Sequence, residues 1–320
     1  MLRAILAAAT LACCAGHAHA QSYPNRPITL VVPFVAGGSA SVAARSVADK
    51  VGELLGQQIV IDNRGGAGGT IATRAVAKAA PDGYTLLVVT SATVGTAPAL
   101  FANLGYDPRK DFEPIGLIAA TPNLIAVHPS FPAHTLAEWV KVGQQAKEPI
   151  PYGSPGTGTL NHLTVELIAH RLNMKLTHVV YRGAGPALND LLGGHIKVLI
   201  SAVPNAHAHV LAGTMRALAV TGAKRSPLLP DVPTFAEAGL PAFEIPLRWG
   251  IAAPAGTPRP IVDKVNQALN AALASEDVKK RLAVEGAEPT PSTPAEYAAI
   301  IDREVSMWTE LVKTAGIKAE

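Results

Sequence analysis

Two glycine-bearing turns carry the residues best suited to chemistry: Pro33-Phe34-Val35-Ala36-Gly37-Gly38-Ser39 and Tyr152-Gly153-Ser154-Pro155-Gly156-Thr157-Gly158-Thr159. Each follows an apolar strand-like run and opens an apolar helical pattern. Glycine there lets backbone N–H groups come close to a ligand, and the positive end of the helix dipole faces the same point. Ser39, Ser41, Ser154, Thr157 and Thr159 add hydroxyl donors. The chemistry on offer is the holding of an anion, a carboxylate above all. Nothing beside it attacks one: no G-x-S-x-G elbow exists, since Ala40 and Ser41 follow Ser39 and Pro155 follows Ser154. Without an activated nucleophile or a metal, such donors stabilise bound charge and transform nothing, so no catalytic residue is assigned. The plainer reading stays open at each turn, in which glycine only permits a bend and Ser39 only caps a helix.

Other candidates divide in the same way. Gly65-Gly66-Ala67-Gly68-Gly69 does not satisfy G-x-G-x-x-G and reads as a structural turn. His162, Glu166 and His170 share one helical face, and His207 with His209 one side of an extended segment, but H-E-x-x-H is absent and no third or fourth ligand stands out. No metal and no cofactor are therefore expected, while His162, just inside the second turn, can still line a cleft. Phe34, Tyr152, Tyr181 and Trp249 either stack on a ligand or pack in a core. Arg182 pairs with a ligand or with a carboxylate of its own lobe, and Arg248 is either a bidentate clamp or an uninvolved surface cation. Lys279-Lys280-Arg281 is the densest basic cluster and reads as a solvated helix face, so no nucleic-acid partner is expected.

The elements that must position these residues occupy 320 residues of formal net charge +3. Met1 to Ala20 read as a secretory leader: basic at Arg3, apolar from Ile5 to Ala12, with Ala18-His19-Ala20 as the cleavage site. That predicts an exported, periplasmic protein. Both cysteines, Cys13 and Cys14, lie in the leader, which excludes disulfides and thiolate chemistry from the mature chain. About 300 remaining residues predict two lobes. Strand-like runs at 28–34, 59–62, 84–90, 124–127, 177–181, 197–201 and 217–221 alternate with helical patterns, an α/β plan with parallel sheets. Thr135 with Glu138, Thr234 with Glu237, and Thr293-Pro294-Ala295-Glu296 are helix-start signals. The apolar stretches Ile115–Val127 and Phe243–Pro254 are able to carry the chain between lobes. Lobe 1 is then residues 21–121 and 249–320, and lobe 2 residues 122–248, with a cleft between their glycine turns.

The sequence resembles the Bug-type extracytoplasmic solute receptors of tripartite tricarboxylate transporters. The resemblance rests on Tyr23-Pro24-Asn25-Arg26-Pro27-Ile28, Val32-Pro33-Phe34 with Gly37-Gly38, the Asn63–Gly69 run, Ala80-Pro81-Asp82-Gly83-Tyr84-Thr85-Leu86 and Tyr106-Asp107-Pro108. It continues through Tyr181-Arg182-Gly183, Asp190–Gly194, Leu218–Thr221, Leu229–Thr234 and Ala253–Pro258, in order along essentially the whole mature chain. It implies a two-lobed periplasmic binding protein of type II, a Venus flytrap with two mostly parallel sheets flanked by helices. It also implies a small carboxylate ligand and docking on inner-membrane permease subunits. Carried over residue by residue, the ligand contacts fall on Phe34, Gly37, Gly38, Ser39, Ala40 and Ser41, and on Ser91 and Ala92. In the second lobe they fall on Ser154, Gly156, Thr157, Gly158, Thr159, His162, Tyr181, Arg182 and Ser201, with Arg248 at the crossing.

Three positions depart from the family pattern. Relatives usually carry Asp at Ser41 and at Ser201, and often Trp at Arg248. A neutral serine neither attracts an amine nor repels a second carboxylate, so the expected ligand is a di- or tricarboxylate or an aromatic acid rather than an amino acid. Two alternatives remain at this stage: a ligand-sensing partner of a receptor kinase, and an exported hydrolase using the same turns as an oxyanion hole.

Overall fold

The computed structural model describes residues 23–101, 103–181, 183–284 and 286–317. The expected leader and Arg182 lie outside the described residues. Two sheets organise the chain. The first contains β1 (Ile28–Val32), β2 (Ile59–Asn63), β3 (Thr85–Thr90), β4 (Phe112–Thr121), β10 (Leu247–Pro254) and β11 (Glu288–Pro289), in the order β11-β4-β10-β3-β1-β2. The second contains β5 (Asn123–Val127), β6 (Ile150–Ser154), β7 (Leu176–Val180), β8 (Val198–Ala202) and β9 (Arg216–Val220), in the order β7-β6-β8-β5-β9. Both sheets are mixed. β1 pairs in parallel with β2 and β3, and β6 with β7 and β8, while β10 and β5 run against both of their neighbours.

Those two reversed strands are the ones that enter a new sheet. β4 ends at Thr121 and β5 starts at Asn123, so the first crossing is the single residue Pro122. The return runs through a long segment to β10. The two are tied side by side: Thr221 Oγ1 accepts the N–H of Asn123, the Thr221 N–H reaches Asn123 O, and the Ile245 N–H reaches Thr221 O.

Helices cover both faces. On the first sheet lie α1 (Ser39–Leu55), α2 (Thr70–Ala77), the short α3 (Ala97–Leu100), α8 (Arg259–Ala274) and α9 (Glu276–Val284); on the second, α4 (Leu136–Gln145), α5 (Leu160–Leu172), α6 (Ala184–Leu192) and α7 (Val203–Leu211). The central strands read as unbroken apolar runs because both their faces are buried, as at Leu86–Val89 and Ile125–Val127. The last helix, α10 (Pro294–Ala315), serves both sheets. Tyr297, Ile301 and Val305 join a core beside the first sheet, while Trp308 and Leu311 join the core of the second.

Of the three start signals, Thr293 with Glu296 forms a full capping box opening α10, and Thr135 accepts the Glu138 N–H to open α4. Thr234 and Glu237 make the same reciprocal bonds, but they close a turn and start no helix. A capping box satisfies the first amides of any helical turn, and here no apolar stripe follows to propagate one.

Candidate functional site

β1 ends at Val32, and the chain turns through Pro33–Gly38 into α1. Gly38 is the N-cap and supplies no side-chain cap, and the first turn of α1 holds no acidic residue. The amides of Ser41 and Val42 bond back to Gly38 O, which leaves those of Ser39 and Ala40 as the outward-facing donors of the helix start. Gly37 has φ +86, a left-handed conformation that favours glycine, and a Cβ there would meet no atom within 4 Å. The loop is braced from below: Ser41 Oγ donates to Asn63 Oδ1 over 3.3 Å, and Asn63 Nδ2 donates to Phe34 O over 3.1 Å.

The second turn repeats the plan from β6 into α5. Thr159 is the N-cap, its Oγ1 accepting the His162 N–H and donating to Gly156 O. No acidic residue lies in the first turn of α5 either. Gly156 at φ +154 and Gly158 at φ +75 shape the bend, and the Gly158 position lies against Leu100 of α3, 2.7 Å from where a Cβ would sit.

The two helix starts open on one cleft of ≈ 310 Å³, lined by Phe34, Val35, Gly38, Ser39, Ala40, Thr90 and Ala92 from one side, Thr159, Leu160 and Asn161 from the other, and Leu247 and Trp249 from β10. Trp249 is the register partner of Thr90, which ends β3. Among the described residues, none that lines the cleft carries a charge. An anion in this cleft is held by amide and hydroxyl dipoles, with aromatic and aliphatic walls around its body. A larger apolar hollow of ≈ 490 Å³ lies between Leu228 and α8 and α9, but it contains no residue of either turn. Among the described residues no group of three or more His, Asp or Glu side chains is placed to hold a metal ion.

The structure brings Phe34, Gly38, Ser39, Ala40, Ala92 and Thr159 of the expected residues to the cleft wall. Others stand behind it. Ser41 is fully buried as the brace described above. Ser91 Oγ donates to Glu304 Oε1 over 3.3 Å, and Arg248 Nη1 donates to the same oxygen over 2.9 Å. Arg248 is therefore tied to α10 and is no clamp in the cleft. Strand alternation is the reason: Leu247 and Trp249 face the cleft, so the residue between them faces the other way. Tyr181 turns its hydroxyl onto Asp190 at 2.7 Å and packs its ring by α6. Ser201 is buried on β8, and neither its Oγ nor Thr157 Oγ1 has a hydrogen-bond partner among the described residues. Ser154 is fully buried, its Oγ 2.6 Å from His178 Nε2, and His162 Nδ1 accepts the Gly158 N–H over 3.1 Å.

Sequence reasoning did not single out Val35, Leu160, Asn161 or Leu247 as wall residues. Leu247 was reachable by alternation from Trp249. Asn161 follows the N-cap by two positions, where a side chain leans back over the turn; its Nδ2 donates to Asn123 Oδ1 and Ile200 O.

The profile of the tripartite tricarboxylate transporter family receptors matches residues 43–317. The chain belongs to this receptor family. Among curated relatives, a protein encoded in the tcbD-tcbE intergenic region of Pseudomonas sp. (strain P51) is 38% identical over 97% of this chain and 93% of its own length. Protein BugT of Bordetella pertussis is 35% identical over 93% of this chain and 92% of its own length. Two solved structures share the fold closely. Rpa4515 of R. palustris, solved with adipate, has TM-score 0.77 at 38% identity over 92% of this chain and 99% of its own. MatC from Rhodopseudomonas palustris, with bound malate, has TM-score 0.74 at 37% identity over 91% and 100%. The receptor family and these neighbours are solute-binding proteins and not enzymes, which removes the hydrolase reading. The full burial of Ser154 agrees, since a nucleophile must meet its substrate.

Proposed function

We propose that this receptor captures a small carboxylic acid with an apolar body between its lobes and delivers it, in the periplasm, to the membrane subunits of a tripartite transporter. The observation that carries the reading is the convergence of two helix N-termini, α1 and α5, on one cleft whose lining, among the described residues, holds no charged side chain. One carboxylate oxygen pair meets the Ser39 and Ala40 amides. The far end meets the Leu160 and Asn161 amides and the Thr159 edge, and Phe34, Leu247 and Trp249 enclose the carbon skeleton. A ligand that bridges α1 and α5 favours the closed form because it touches both lobes only there. Relatives solved with adipate and malate support the carboxylate class, and family membership supports the permease partner and the periplasmic location. The proposed lobe boundaries, 21–121 with 249–320 and 122–248, follow the strands that each sheet draws in, except that Leu247 and Arg248 already pair within the first sheet as the start of β10.

A thermal-shift screen over C3 to C8 dicarboxylates, tricarboxylates, benzoates, amino acids and amines tests the reading. Stabilisation grows with the logarithm of ligand over Kd, so a hundredfold excess gives about 2.7 kcal/mol. Acids lacking an amine are expected to raise the Tm. A free amine or an amino acid outranking every simple acid would overturn the proposal.

A further inference from the structure

Beneath the second-lobe turn lies a stack of three rings that the ligand reading does not use. His162, on the first turn of α5, and His178, on β7, stack at 3.9 Å between centroids and 17° between planes. Tyr152 of β6 also stacks on His178, at 5.1 Å and 23°. Each imidazole holds one part of the turn. His162 Nδ1 accepts the Gly158 N–H. His178 Nε2 meets Ser154 Oγ at 2.6 Å, and that oxygen accepts the Gly156 N–H over 3.3 Å and donates to Gly156 O over 3.2 Å.

Building on the carboxylate reading, we propose that the stacked His162–His178 pair positions turn 155–159 for ligand, and that proton uptake by His162 releases the turn. The bond at Gly158 fixes the chemistry. As an acceptor, Nδ1 must be unprotonated, so the neutral ring carries its hydrogen on Nε2. Protonation turns Nδ1 into a donor pointing at the donor of Gly158, and it places a cation 3.9 Å from the second imidazole. The bond to His178 survives its own protonation, because Ser154 Oγ can accept from an Nε2–H. His162 is thus the sensitive member.

The titratable groups facing the pair are Tyr152, from β6, and Glu166, one turn along α5. Glu166 Oε1 is 3.9 Å from His162 Nε2 and already accepts the Tyr152 hydroxyl at 2.7 Å, so it is too distant to bond the protonated ring directly. Burial holds both imidazoles neutral, at about 4 in place of 6.5, with the neighbouring His178 adding to the effect on His162. The turn therefore keeps its ligand-ready form at neutral pH and loses it in acid.

The test uses ¹⁵N-labelled ligand-free protein, titrated from about pH 7.5 to about pH 4. The Gly158 amide is expected to shift with the same midpoint as the His162 ring. A Gly158 amide indifferent to that ring overturns the proposal, and this arm needs no variant and no ligand. In the second arm calorimetry with adipate compares three proteins. His162→Leu, which has no acceptor, is expected to lose at least about tenfold in affinity at neutral pH, and His162→Asn, whose carbonyl replaces Nδ1, to restore most of it without the acid-dependent loss seen in wild type. Equal acid loss in wild type and His162→Asn overturns the proposal. Adipate that fails to bind wild type at neutral pH counts against the ligand class instead, and the amide arm still decides the pair's hold on the turn.

Discussion

Arg248 sits between two cleft residues and yet is tied to α10. Its guanidinium meets a Glu304 carboxylate that is 8% exposed. Burial pushes that carboxyl upward in pKa, against the opposing pull of Arg248 and Ser91. Removing one partner of a buried pair costs more than the pair itself contributes, because a desolvated charge is left alone. Arg248→Met is therefore expected to lower stability by about 3–5 kcal/mol in urea unfolding, and adding Glu304→Gln to recover most of it. At Gly38 the expectation is reversed: φ is −76, and a Cβ meets only Val35 O at 3.6 Å, so a side chain fits the backbone but enters the cleft. Gly38→Val should lower stability only by about 1 kcal/mol, the cost of a poorer N-cap, and weaken acid binding at least tenfold, about 1.4 kcal/mol. A variant that binds as wild type would separate this turn from the ligand.

At the scale of elements, start signals carry measurable weight. Thr293 Oγ1 accepts the Glu296 N–H, and the Glu296 carboxylate returns to the Thr293 N–H. Thr293→Ala is expected to cost about 1 kcal/mol, read as a lowered Tm with ligand affinity unchanged, because neither Thr293 nor Glu296 lines the cleft. The same signals show what the sequence could disclose. Strands and helix starts were legible because apolar runs and caps are local, and the turn at Gly37–Gly38 announced its place for the same reason. The roles of Ser41, Ser91, Tyr181 and Arg248 were not legible. Their partners Asn63, Glu304 and Asp190 are chosen by packing, and the chain distance from Ser91 to Glu304 hides that pair from any window. The box at Thr234 and Glu237 misled because a cap needs a following helix to be one.

Across the whole molecule, two sheets share Pro122, the return into β10, and the length of α10. Trp308 is fully buried with the second sheet's core, while Tyr297, about three helical turns earlier, is buried with the first. The two cores are thus joined through one helix. Proton linkage acts at the same scale. His162 and His178 stay neutral in the folded state down to about 4, whereas the unfolded chain takes up protons from about 6.5. The unfolded state then binds more protons over that window, so stability is expected to fall as pH drops from about 6.5 toward 4. Glu304, raised, acts in the opposite sense, and the depressed Glu138, Glu237 and Glu296 lose their contribution only as the pH falls below the ordinary carboxylate range. Urea midpoints at pH 7, 6 and 5 should therefore decline, and decline less in His162→Asn.

The central claim is that uncharged dipoles from both lobes hold an acid. Its most direct measurement is a crystal structure with the acid that raises the Tm most. The expected density places one carboxylate about 3 Å from the Ser39 and Ala40 amides and the far end against the start of α5. An acid paired with a Lys or Arg side chain, or lodged outside the cleft of Phe34, Leu247 and Trp249, would contradict it.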